Sequence, residues 1–86
     1  MKKAIFVDVE NGDQTMVLYI DNQYVLGHYY LMMDGAIMLL KFIQPDIEIE
    51  YYIIPFDIYE NLNGFPDILS DNFIEEWEVE KQEVYF

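Results

Sequence analysis

Asp46-Ile47-Glu48-Ile49-Glu50-Tyr51-Tyr52-Ile53-Ile54, set between Pro45 and Pro55, alternates acid with apolar or aromatic residue over its first six positions. Period two is the mark of a strand with one face toward a core. In that reading Asp46, Glu48 and Glu50 share one face, spaced about 6.8 Å apart, while Ile47 and Ile49 fill the other.

On its N-terminal side Pro45 ends a helix, because the residue before proline avoids the α region. The helix is expected from Asp34-Gly35 through Ile43, with Asp34 accepting first-turn amides. Ile37, Leu40 and Lys41 or Ile43 then fall at helical spacing. Further upstream, Lys3 to Val9 and Thr15 to Ile20 read as strands around Glu10-Asn11-Gly12-Asp13, where Asn-Gly is a strong hairpin signal. Asp21-Asn22-Gln23 makes a second turn into a third strand, Tyr24 to Gly27.

C-terminal to Pro55, residues 56–72 carry Asn61, Asn63-Gly64, Pro66 and Ser70-Asp71-Asn72, a pattern for a short helical turn and loops. In the last stretch Trp77 and Val79 alternate with Glu76, Glu78 and Glu80 as in a strand, although Phe73, Trp77 and Val84 also fit a helical stripe. The strand is favoured, since a helix would leave Val79 among the acids. No repeat or linker interrupts the chain. The expected architecture is α+β: a single acidic domain, 1–86, with a small antiparallel sheet (an N-terminal meander plus later strands) and one main helix packed on a face.

The chain has 86 residues, 53% apolar and 17% aromatic, which is ample core material and argues against disorder. Cysteine is absent, which excludes disulfides and thiolate chemistry. The run after Lys2-Lys3 stops at Asp8, short of a signal-peptide core, and no apolar stretch approaches a membrane span. A soluble cytoplasmic protein is expected, in the host cytoplasm if phage-encoded.

Charge is the functional signal. Seventeen acids oppose four lysines and no arginine, for a net −13. Residues 1–44 carry five acids and three lysines, whereas residues 45–86 carry twelve acids and Lys81 alone. Such a field repels nucleic acid and anionic membrane and attracts basic surfaces, and direct nucleic-acid binding lacks the cations it needs.

Catalytic inventory is thin. His28, Ser70 and Thr15 are the only residues of their types, and no nucleophile-elbow glycines flank Ser70. Asp8 to Asp13 resembles a calcium loop, but Gly12 falls one position early and Tyr19 stands at the twelfth place. No enzyme, cofactor or metal is expected.

If strands 46–50 and 76–80 lie close, their acids crowd one side of a sheet at a cost in stability. A role in binding explains such crowding. The residues expected to carry it are Asp46, Glu48, Glu50, Glu75, Glu76, Glu78 and Glu80, with Tyr51 and Tyr52 at the rim. The expected function is a stoichiometric inhibitor with a DNA-mimic-like surface, blocking a basic nuclease or nucleic-acid-binding effector, of the anti-restriction or anti-CRISPR kind. Two alternatives stand beside it: an immunity protein that neutralises a nuclease toxin through tyrosine anchors, and a structural homodimer that buries Tyr, Met32, Met33 and Ile surface. Tyr29-Tyr30 and Tyr51-Tyr52 are adjacent pairs, so on a strand one member of each faces away from the core, where it can anchor an interface.

Overall fold

A computed structural model describes residues 1–10, 16–28 and 33–84. Five strands form one sheet: β1 (Lys3–Val9), β2 (Met16–Ile20), β3 (Gln23–His28), β4 (Glu48–Ile54) and β5 (Glu80–Gln82), in the order β3-β2-β1-β4-β5. Three helices accompany them: α1 (Met33–Ile43), α2 (Phe56–Asn61) and α3 (Phe73–Glu76). The α+β class and the single main helix are as expected from the sequence.

The sheet is mixed rather than antiparallel. β4 lies parallel to β1, from Lys3↔Glu48 to Val9↔Ile54, while the other three pairings are antiparallel. Parallel neighbours need a crossover, and α1 supplies it between β3 and β4. Alternation within a strand fixes which side chains share a face but not which neighbour the strand chooses.

β1 occupies the centre because it is apolar on both sides. Ala4 and Phe6 point toward α1 and pack with Leu18, Ile37, Leu40 and Ile47. Ile5, Val7 and Val9 point the opposite way and pack with Tyr52, Ile54, Leu69, Phe73, Trp77 and Val79. Each face of the sheet is therefore covered, which is where a fully apolar strand belongs. On the second face the aromatic rings form a chain, Tyr52–Phe73–Trp77–Phe65–Tyr59, with centroids 5.1, 5.9, 5.7 and 5.4 Å apart.

Turn chemistry follows the sequence closely at Asp21-Asn22. Both residues have positive φ (49° and 67°) and link Ile20 to its partner Gln23, the geometry of a two-residue type I′ hairpin. The Asp21 carboxylate accepts the Lys2 and Lys3 amides at 2.9 and 3.0 Å. Those two bonds hold its carboxyl below the usual range. At the first hairpin, β1 and β2 pair antiparallel as expected, and its Asn11-Gly12 turn lies outside the described residues. Gly27 in β3 is needed for close approach: a Cβ there would stand 2.5 Å from the Tyr24 hydroxyl and 2.8 Å from Val17 Cγ1.

The final stretch departs from the expected strand. Residues 73–76 are helical, and the turn ends in a Schellman motif: Glu78 N–H donates to the Glu75 carbonyl and Val79 N–H to that of Ile74, at 3.4 and 3.3 Å. Glu78 takes the left-handed position, φ 51°. That reversal resolves the two competing periodicities, because Phe73 and Trp77 are buried at helical spacing and the turn then brings Val79 back into the same core. The strand shrinks to Glu80–Gln82.

Candidate interaction surface

Three acidic groups expected on β4 fall in different settings. Asp46 lies exposed in the turn before the strand. Glu48 and Glu50 share a face, as period two requires, but lysines stand among them and relieve the crowding expected of the acids. Lys3, opposite Glu48 in the register, places Nζ 3.8 Å from Glu48 and 3.7 Å from Glu50. Lys81, opposite Tyr52, reaches Glu50 at 3.4 Å. Glu50 also accepts the Tyr52 hydroxyl at 3.1 Å. Its side chain is only 18% exposed, so Glu50 works as the hub of a local network rather than as a free anion. Beside it a cleft of about 220 Å³ is lined by Lys3, Asn22, Glu50, Ser70, Asp71 and Ile74, among others.

Neither Tyr51 nor Tyr52 is exposed. Tyr52 is 3% exposed within the second-face core, where burial, then Glu50, pushes its phenol up to about 12. Tyr51 packs against the α1-side core and donates to Asp8 at 3.2 Å. Burial, then the Asp8 charge, raises its phenol as well. Tyr29, Tyr30 and Met32 lie outside the described residues. Met33 opens α1 and is partly buried against the α1-side core.

Glu75, Glu76, Glu78 and Glu80 do not form one row. Glu75 and Glu76 close α3, Glu78 is the left-handed turn residue, and Glu80 begins β5. Glu80 pairs with Ile53, which directs it to the α1 side of the sheet, away from Lys81 and Glu50.

What the structure assembles instead is a layer. Residues 55–79 cover the sheet face opposite α1, except that residues 67–69 pair along the β3 edge: Tyr24 N–H donates to the Asp67 carbonyl at 2.8 Å, and Leu69 N–H to that of Asn22 at 2.7 Å. Residues 55–79 contribute Ile58, Tyr59, Leu62, Phe65, Leu69, Phe73, Trp77 and Val79 to the core on that face. The same segment contains Asp57, Glu60, Asp67, Asp71, Glu75, Glu76 and Glu78, all exposed, and no lysine. Neutral donors fix two of these acids: Asn22 Nδ2 donates to Asp71 at 3.1 Å, and Ser70 Oγ to Glu76 at 2.6 Å. By contrast α1 bears one acid, Asp34, and one base, Lys41. Lys41 Nζ donates to the Ile47 carbonyl at 2.7 Å.

Sequence reasoning about strand rows missed Asp57, Glu60, Asp67 and Asp71. The signal for them was the unbroken absence of lysine from residue 42 to residue 80. It also missed the outer face of α1, where Met38, Leu39, Phe42 and Ile43 are 72%, 60%, 86% and 58% exposed. The run Ala36-Ile37-Met38-Leu39-Leu40 followed by Phe42-Ile43, more apolar than one buried stripe needs, carries that signal.

Among the described residues no helix is long and apolar enough to cross a membrane, and no group of three or more His, Asp or Glu side chains is placed to hold a metal ion. No protein-family model, curated protein or solved structure matches this chain, so its function is read from its own geometry.

Proposed function

We propose that this protein is a stoichiometric inhibitor whose acidic layer occupies the basic, nucleic-acid-binding channel of a nuclease or related effector. The supporting observation is the layer itself: seven exposed carboxylates and no base in residues 55–79, the segment that covers one face of the sheet and reaches its β3 edge. Along the 35 Å long axis, seven charges amount to roughly one per 5 Å, nearer the 3.4 Å per phosphate of one DNA strand than the 1.7 Å of the duplex. The resemblance is thus to a single strand more than to a duplex. Charge of this kind steers association and makes it fall with salt. The tyrosine-anchored alternative loses support, since Tyr52 is buried and Tyr51 is packed and hydrogen-bonded.

Competition against a labelled single-stranded oligonucleotide, across a panel of basic nucleases and nucleic-acid-binding effectors, tests the reading. Displacement should weaken with added salt, and the triple variant Glu60→Lys, Glu75→Lys, Glu76→Lys should lose it. Equal displacement by that folded variant would exclude the acidic layer as the contact.

A further inference from the structure

The outer face of α1 is the largest feature that the acidic layer leaves unexplained. Met38, Leu39, Phe42 and Ile43 stand at i, i+1, i+4 and i+5, so they form one stripe, and Phe42 is 86% exposed. Four side chains of this size expose on the order of 500 Å², a patch that on soluble proteins marks an interaction site. Leu26, 39% exposed, lies on the same face of the sheet, paired with Leu18 of the α1-side core.

Gly35 is the second observation. It lies in the first turns of α1, where glycine weakens a helix. Its backbone has no positive φ, and a Cβ built on it would meet nothing within 4 Å. Nothing inside the described chain requires glycine there. Gly35 falls three, four and seven positions before Met38, Leu39 and Phe42, on the same stripe. A notch at one end and a protruding ring at the other make this stripe self-complementary under a two-fold axis.

We propose that the outer face of α1 docks a second copy of this chain, the two helices running antiparallel with Phe42 of each copy over Gly35 of the other. In that pairing Met38 and Leu39 meet across the axis. Charge favours a second copy on this helix over the acidic layer, because α1 itself carries one acid and one base. The dimer would then hold two acidic layers outward at opposite poles. A lipid surface fits poorly, since a chain of net −13 is repelled by anionic membrane. Burial of about 1,000 Å² in total places the contact at the lower limit for a specific interface, so a reversible dimer is expected.

Sedimentation equilibrium on the full chain decides it. Weight-average mass should climb from 10.3 kDa toward twice that value with concentration. Salt should strengthen the dimer by screening acids on the two copies, opposite in sign to its effect on a complex with a basic enzyme, so the two proposals fail separately. Phe42→Asp should abolish association with the circular-dichroism spectrum unchanged. Gly35→Ala should raise the thermal midpoint of the dilute protein while weakening the dimer at least about tenfold, a split that a purely structural glycine would not give. The chain lacks cysteine, so Leu39→Cys should form a disulfide-linked dimer under oxidation and Glu60→Cys should not. A mass fixed at 10.3 kDa at millimolar concentration, or self-association untouched by Phe42→Asp, overturns the proposal.

Discussion

Replacing Glu78 by glycine should stabilise the protein. Glu78 holds φ 51° at the end of α3, the position in a Schellman motif that glycine normally fills. A residue with a Cβ pays about 1–2 kcal/mol in the left-handed region. Glycine avoids that cost but gives the unfolded chain extra freedom, worth about 0.5–1 kcal/mol in the other direction. The net gain is therefore about 0.5–1 kcal/mol. For a domain of 86 residues this shifts the thermal midpoint by about 2–8 °C. Removing one carboxylate from a crowded layer would also help, so Glu78→Ala is the needed control: it removes the charge and keeps the Cβ. Melts followed by far-ultraviolet circular dichroism, together with urea titrations, should rank glycine above alanine. If Glu78→Gly proves no more stable than Glu78→Ala, the left-handed strain is absent and the account of the 73–79 turn fails.

Truncating Trp77 to alanine removes a 6% exposed ring at the junction of Phe65 and Phe73, and should cost about 3–5 kcal/mol in urea unfolding. Alkaline pH should unfold the protein. The Tyr52 phenol, raised to about 12 by burial and Glu50, favours the folded state fully below the unfolded value of about 10 and stops doing so as pH climbs through about 12. Tyr52→Phe should flatten the fall of stability between those values, measured by isothermal urea titration at stepped pH. Moderate salt should raise the thermal midpoint, because going from about 0.01 M to about 0.1 M shortens the screening length from about 30 to about 10 Å. Seventeen acids against four lysines make repulsion the dominant effect being screened. A midpoint that drops over that range would contradict a crowded anionic layer.

The opening meander, α1 and β4 were legible because each carries a local signature. Positive-φ turn residues at Asp21-Asn22, helical spacing of Ile37 and Leu40, and period two from residue 46 all depend on near neighbours. Two features that depend on distant neighbours were not. The parallel pairing of β1 with β4 is set by covering both faces of β1, which no local pattern records. The lysine relief of Glu48 and Glu50 follows from two strand pairings, since Lys3 comes beside them through the β1–β4 register and Lys81 beside Glu50 through the β4–β5 register. At Trp77 and Val79 both periodicities were visible. The turn at Glu78 that reconciles them was not, because glutamate is an unusual choice for a left-handed residue.

Placing β1 at the centre has a consequence during synthesis on the ribosome. Its partner β4 lies 45 positions later, from Lys3↔Glu48 to Val9↔Ile54. Until Ile54 has emerged, the nascent meander presents β1 with a bare edge, and the face that residues 55–79 cover stays open longer still. Unpaired strand edges of that kind invite association with other chains. Closing so long a loop before any contact rewards it also slows folding. Translation that stalled before Ile54 would therefore leave a sticky fragment, and a chaperone that shields extended apolar segments would matter most in that interval.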